Sequence, residues 1–265
     1  MIIDFKKYSS VRIGNEFEVL VLDQICDFDG FLIGGANNLL ISPKPKNIGI
    51  LGDGFDFIQI LDQNKDFIHL RIGCKTKSSK MYRFAKENNL KGFEYLSKIP
   101  GTLGGLLKMN AGLKGECISQ NLIKIATFQG EILRENINFD YRFCPLNMPF
   151  FWAEFKLNFG FDILKDEALK NARSNQPSGA SFGSIFKNPK NDFAGRLIEA
   201  VGLKGFSKGD AMLSDKHANF LINKKNASFE DAFFLIELAR KKVFEEFGIN
   251  LENEVIIIKN FSIYL

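Results

Sequence analysis

Four places in the chain carry residues whose types and spacing could do chemistry. The first runs from Ser97 to Gly112, with four glycines and one proline in sixteen residues. Pro100 and Gly101 read as a tight turn, since proline fixes its own φ and glycine tolerates the positive φ of the next position. Thr102 offers a hydroxyl, and Gly104 and Gly105 remove side chains where another molecule's backbone or phosphate could come close. Asn110 and Gly112 add an amide and a further glycine. Consecutive backbone N–H groups in such turns form concave anion sites suited to a pyrophosphate. A glycine-rich connection without a ligand is the plain alternative.

The second place is Tyr141-Arg142, an arginine beside an aromatic ring, which elsewhere is commonly a surface residue packing its stem. The third is Gly183-Ser184-Ile185-Phe186-Lys187-Asn188-Pro189, which presents one hydroxyl in a tight loop with a cation and an amide nearby. The fourth is Glu254, a carboxylate at the mouth of the very apolar run Val255 to Ile258, where burial would favour its protonated form. A solvated strand start is the simpler reading of that last feature. Two weaker features accompany these. Gly34-Gly35-Ala36-Asn37-Asn38-Leu39 is a strand, a glycine turn and a second strand. Ser214 to Phe220 holds His217, one of two histidines, read as structural.

Elements that must position these residues emerge from pattern. Short strands are expected at Glu18 to Leu22, Phe31 to Ile33, Leu39 to Ser42, Ile48 to Leu51, Phe57 to Leu61 and Phe67 to Ile72, rich in Ile, Leu, Val and Phe and bounded by turn residues. A helix is expected from Ser78 to Asn89, then the glycine-rich stretch, then strands at Leu122 to Phe128, Glu131 to Glu135 and Phe151 to Leu157. Beyond these come helices at Ile163 to Arg173, Phe193 to Leu203 and Ser228 to Phe247, with strands at Ser184 to Phe186, Ala218 to Ile222 and Glu254 to Lys259. Ser228 with Asp231 is a helix-capping pair, and Gly248 closes the longest helix. The fold class expected is α+β with two domains, residues 1–160 and 161–250, the strand in 251–265 returning to the first.

Composition narrows the function classes. At 265 residues, 45% hydrophobic and 25% charged, the chain is an ordinary globular protein. Its net charge of +4 is scattered, which mildly favours small anionic ligands and gives no basic block for nucleic acid. The start lacks a signal peptide, no uncharged run reaches membrane-spanning length, and a cytoplasmic location without membrane attachment is expected. Cys26, Cys74, Cys117 and Cys144 are far apart, so no metal site or disulfide is expected. Neither glycine site is G-x-G-x-x-G opening a helix, which disfavours a Rossmann dinucleotide site, and there is no Walker A or H-E-x-x-H sequence.

In this order and spacing the motifs resemble those of one family, the UDP-N-acetylenolpyruvoylglucosamine reductases, flavoenzymes of peptidoglycan precursor synthesis. The resemblance runs from about Ser10 to Ile258 and is strongest at Ile99 to Gly105 with Asn110 to Gly112, at Gly183 to Pro189 and at Ser214 to Phe220. It implies a vanillyl-alcohol-oxidase/PCMH-like FAD-binding domain and a smaller α+β domain for the UDP-sugar. It implies catalytic roles for Arg142, for Ser184 as proton donor and for Glu254. FAD would be held by Gly34, Gly35, Ala36, Asn37, Asn38, Leu39, Pro100, Gly101, Thr102, Gly104, Gly105, Asn110 and Gly112. Substrate would meet Asn188 and Lys187, with Gln176, Lys204 and Lys216 as candidates for the diphosphate. NADPH is the implied electron donor, and a monomer is expected. The 42 residues from Arg142 to Ser184 leave no room for the tyrosine-bearing loop of the longer subtype, so the shorter one is implied. The chain departs from the family pattern where Ala36-Asn37 replaces Gly-Ser and where Cys144 replaces a common serine. A flavin oxidase on the same fold would keep the glycine sites but not need Ser184. A nucleotide-sugar binding protein without catalysis would not hold flavin.

Overall fold

The computed structural model describes residues 1–171, 176–259 and 262–264. Its contacts divide the chain into two compact units. One contains residues 1–19, 36–46 and 175–265, and the other 20–35 and 47–174.

The second unit is built on a five-stranded antiparallel sheet. Its central strands are Phe67–Gly73 and Trp152–Asn158, flanked by Ile58–Gln63 on one side and by Leu122–Thr127 and Gly130–Leu133 on the other. Alternation explains both central strands. Ile68, Leu70 and Ile72 face the core with Ala153, Phe155 and Leu157, while His69, Arg71, Trp152 and Glu154 take the opposite face. Glu154 lies directly across from Arg71 and accepts from its Nε and Nη2 at 3.0 and 2.8 Å, and from His69 at 2.9 Å. Burial alone would push this carboxyl up, but the Arg71 hydrogen bonds and the charges of Lys124, Arg71 and His69 outweigh it and hold it low. A three-stranded parallel sheet, Leu20–Leu22, Ile48–Leu51 and Phe31–Leu32, completes this unit.

In the first unit the C-terminal strand Ile256–Lys259 runs parallel to Leu39–Ile41, pairing Ile256 with Leu39. A hairpin sheet of Ser207–Lys208, Ala211–Leu213 and Leu221–Asn223 packs with the long helix Phe229–Phe247. Leu235, Ile236, Ala239 and Val243 of that helix are fully buried, on the stripe that a 3.6-residue period dictates. Ser228 and Asp231 form the expected reciprocal cap, and Gly248 ends the helix in the left-handed conformation at φ 66°.

Three expectations are corrected. The glycine-rich stretch, read as turns, contains a helix at Leu103–Lys108. Its two glycines weaken helix propensity, but Leu103, Leu106 and Leu107 bury their side chains and tertiary packing prevails. Ser184 to Phe186 is not a strand within a sheet. It makes one isolated bridge to Phe220 and one to Asn253. The run Glu18 to Leu22 divides into two strands, Glu16–Glu18 and Leu20–Leu22, in different sheets. The helix expected to reach Arg173 spans Ile163–Asn171, and its last two expected positions lie outside the described residues. Among the described residues no helix is long and apolar enough to cross a membrane, and no cluster of three His, Cys, Asp or Glu could hold a metal. All four cysteines are free, with Cys74 and Cys144 buried.

Candidate functional site

The second unit brings its share of the two glycine motifs together. A side chain on Gly34 would overlap the Thr102 hydroxyl, so glycine there is a requirement of close approach. Thr102 is 8% exposed and its Oγ1 is buried without a hydrogen-bond partner. Tyr95 Oη, Ser97 Oγ, Asn110 Oδ1 and Asp166 Oδ1 in this unit are likewise buried without a hydrogen-bond partner among the described residues. An orphaned hydroxyl beside a close-approach glycine is the kind of group that a polar ligand completes. Gly104 and Gly105 differ in purpose. A Cβ on Gly104 would press on Cys74 at 3.3 Å, a matter of packing. At Gly105 its nearest contact would be Thr102 Oγ1 at 3.9 Å, leaving room on the exposed side. Pro100 is exposed, Gly101 leads into the helix with φ 129°, and Asn110 takes φ 42° after its end.

Asn110 reaches further. Its Nδ2 donates to the carbonyl of Asp140 at 2.9 Å, tying it to the turn Asp140 to Phe143. That turn is closed by reciprocal backbone bonds at 3.1 Å and carries Arg142 at φ 55°. Arg142 Nη2 donates to the carbonyl of Gly112 at 3.0 Å, and its guanidinium carbon lies 5.4 Å from the Tyr141 ring centroid. Asn110 and Gly112 on one side and the turn bearing Arg142 on the other, 30 residues apart in sequence, are therefore hydrogen-bonded neighbours.

In the first unit Ser184 and Glu254 are held on adjoining segments. The Glu254 and Val255 N–H groups donate to the carbonyl of Ile185 at 2.8 and 3.1 Å, one residue from Ser184. Lys187 N–H donates to the Glu252 carbonyl at 2.9 Å, and its Nζ stands 3.5 Å from the Glu252 carboxylate. Asn38 lies in the same unit, and its Nδ2 donates to the Glu254 carbonyl at 2.7 Å. Ala36 and Leu39 are buried, Leu39 within its strand, so the backbone is what they offer a ligand. Asn37 is half-buried.

The remaining candidates separate. Asn188 Oδ1 caps the helix Ala194–Ala200 by accepting from Ala194 N–H at 3.1 Å. Lys216 Nζ donates to the Gln176 carbonyl at 3.3 Å, which makes those two neighbours. Lys204 pairs with Glu199 at 2.8 Å. His217 packs edge-on to Phe220 with centroids 4.9 Å apart, in keeping with a structural role. Sequence pattern assigned nothing to Asn219, which is 3% exposed and bonds to the segment carrying Ser184. A buried amide between apolar Ala218 and Phe220 is the signal that could have singled it out.

Comparison with known proteins points one way. Residues 175–258 match the family described as UDP-N-acetylenolpyruvoylglucosamine reductase, C-terminal domain. The chain is 98% identical over 258 residues to the UDP-N-acetylenolpyruvoylglucosamine reductase of Campylobacter jejuni strain RM1221, covering 97% of this chain and 100% of that protein. It is 43% identical to the enzyme of that name from Helicobacter pylori strain J99, covering 97% and 98% of the two chains. The crystal structure of the UDP-N-acetylenolpyruvylglucosamine reductase of Thermus caldophilus superposes with a TM-score of 0.83 at 27% identity, covering 98% of each chain.

Proposed function

The chain belongs to the UDP-N-acetylenolpyruvoylglucosamine reductase family, and from that premise we propose that it is an FAD-containing, NADPH-dependent oxidoreductase of peptidoglycan precursor synthesis. Its substrate is the enolpyruvyl ether of UDP-N-acetylglucosamine and its product UDP-N-acetylmuramate.

The orphaned hydroxyl of Thr102, the close approach of Gly34 and the open side of Gly105 fit the phosphates of FAD, held by backbone N–H groups and that hydroxyl. FAD held there would, once reduced by NADPH, supply the hydride for the methylene carbon of the enolpyruvyl group. The chain's own residues manage the charge and the proton. Negative charge developing on the neighbouring carbon spreads into the substrate carboxylate, where the Arg142 guanidinium stabilises it. Glu254 in its acid form is a hydrogen-bond donor to substrate. Ser184 delivers a proton to the neighbouring carbon. A serine hydroxyl is a weak acid, so it needs polarising neighbours. Lys187, three residues on, is the nearest cation in sequence. Lys216 with Gln176 serves the UDP diphosphate.

The observation that carries this reading is the pairing of Glu254 N–H with the Ile185 carbonyl, which sets the proposed proton donor and the proposed carboxyl on adjoining segments of one unit. The test is flavin absorbance without oxygen. The purified protein is expected to be yellow, to bleach with NADPH, and to regain colour when the enolpyruvyl UDP-sugar is added. A colourless protein, or reduced flavin that the sugar leaves bleached, overturns the reading.

A further inference from the structure

We infer that Asn219 is a positioning residue for Ser184, setting the hydroxyl by gripping the backbone on its C-terminal side. The inference rests on the reductase reading above for the role of Ser184 itself. Asn219 meets that segment at three points. Its backbone carbonyl accepts from Ile185 N–H at 2.8 Å. Its Oδ1 accepts from Phe186 N–H at 2.9 Å, and its Nδ2 donates to the Phe186 carbonyl at 2.8 Å. The side-chain amide thus pairs with both polar groups of one residue, as a neighbouring strand would, in a place where no continuous strand runs. Ser184 itself bridges to Phe220, the next residue along.

The grip is built in from behind. Ser214 Oγ, in a residue 1% exposed, accepts from the N–H groups of Lys216 and His217 at 3.0 and 3.3 Å. Ser214 N–H donates to the Phe220 carbonyl at 2.8 Å, and Phe220 N–H donates to the His217 carbonyl at 3.0 Å. The turn is therefore closed on itself before Asn219 reaches out. Across the segment the Ile185 carbonyl takes the Glu254 N–H, so Asn219 and Glu254 hold Ile185 from two sides. A proton donor must be placed to within a fraction of an ångström, and a displacement of about 1 Å costs on the order of 100-fold in rate. Plain packing would need only an apolar filler here. A buried amide with both ends used fixes direction as well as place.

Asparagine to aspartate separates direction from packing. In its protonated form the new carboxyl has the shape of the amide and can donate to the Phe186 carbonyl. In its ionised form it sets a negative oxygen against that carbonyl. The experiment follows both half-reactions by stopped-flow absorbance in wild type, Asn219→Asp and Asn219→Ala across a pH range. Flavin reduction by NADPH is expected to stay within about twofold of wild type in both variants, which also shows that they are folded. Reoxidation by the enolpyruvyl UDP-sugar is expected to fall on the order of 100-fold in Asn219→Ala at every pH. In Asn219→Asp it should fall likewise at high pH and recover towards wild type as pH drops. The other charged or titratable groups nearby are Asp215, Lys216 and His217 on the same turn, Glu254 across Ile185, Lys187 and Glu252 beyond Phe186, and Arg240 against the Phe186 ring. They are present in wild type too, so the ratio of variant to wild type removes their effect. Hydrogen exchange should quicken at the Ile185 and Phe186 amides of Asn219→Ala and stay unchanged in the helix Phe229–Phe247.

Wild-type reoxidation rates in both variants, a pH-independent ratio for Asn219→Asp, or equal slowing of both half-reactions would each overturn the positioning role. Wild-type protein that the enolpyruvyl UDP-sugar does not reoxidise would bring down the reductase reading first, and this role with it.

Discussion

The side-chain amide of Asn38 donates to the backbone carbonyl of Glu254 at 2.7 Å, across 216 residues of sequence. One residue of the first glycine motif thereby fixes the segment that carries the proposed catalytic carboxyl. The link is reinforced by Ile256 N–H, which donates to the Asn38 carbonyl at 3.1 Å where the C-terminal strand begins its parallel pairing.

Asn38→Asp keeps the size, but its ionised carboxylate removes the donor and sets a negative oxygen against the Glu254 carbonyl. Losing one such hydrogen bond costs about 1 kcal/mol, and each 1.4 kcal/mol is about tenfold in rate. At neutral pH, reoxidation of reduced flavin by the enolpyruvyl UDP-sugar is expected to slow by at least about fivefold, with urea stability lowered by at least about 1 kcal/mol. An unchanged rate would show that Glu254 needs no such anchor.

Gly34 and Thr102 should be thermodynamically coupled. Gly34→Ala drives a methyl into the Thr102 hydroxyl and is expected to cost about 1–3 kcal/mol as overpacking. In the double variant with Thr102→Ala the hydroxyl is gone and the next neighbour is the Cβ of residue 102 at 3.6 Å, ordinary contact, so most of the loss should return. Urea denaturation of the four proteins measures this, and additive effects would refute it. Thr102→Ala alone should fold normally by circular dichroism and hold flavin more weakly.

Ser184 should matter in one half of the reaction. Ser184→Ala is expected to bleach with NADPH at a near-normal rate and to slow reoxidation by at least the roughly 100- to 10,000-fold that general acid catalysis supplies. Ser184→Cys, which keeps a proton on the side chain, should recover part of the rate. Slowed flavin reduction with intact reoxidation would move the serine to the nicotinamide or flavin side.

Glu254→Gln keeps a hydrogen-bond donor and should retain appreciable activity, whereas Glu254→Ala should lose about 100- to 1,000-fold in turnover. Equal activity of wild type and the alanine variant would return Glu254 to an ordinary strand start.

Glu154 governs a pH effect on stability, not on chemistry. Its folded pKa is lowered by Arg71 and the neighbouring cations against the opposing effect of burial. A carboxylate with a lowered folded pKa contributes stability that is complete above its unfolded pKa of about 4.3 and is lost as pH falls through the lower folded value. Urea midpoints of wild type should therefore fall on acidification below about pH 5, and Glu154→Gln should be destabilised at neutral pH with a shallower acid slope. Parallel profiles would refute this.

The sequence by itself determined what depends on near neighbours. The cap formed by Ser228 and Asp231 and the stop at Gly248 were legible because their partners lie within a turn of one another. The strand at Phe67 to Ile72 was legible for the same reason, as an apolar run bounded by turn residues, and Ile68, Leu70 and Ile72 are its buried face. The order of the motifs marked the family, which the match to known reductases bears out. What only the tertiary structure decided depends on partners far along the chain. Leu103–Lys108 is helical despite Gly104 and Gly105 because its three leucines find a core. Ser184 to Phe186 reads as a strand, yet it joins no sheet, and its hydrogen bonds go to the backbone and side chain of Asn219, 33 residues from Phe186, and to the N–H groups of Glu254 and Val255. Local propensity cannot announce such a bond, since it exists only once burial removes water as the competing partner.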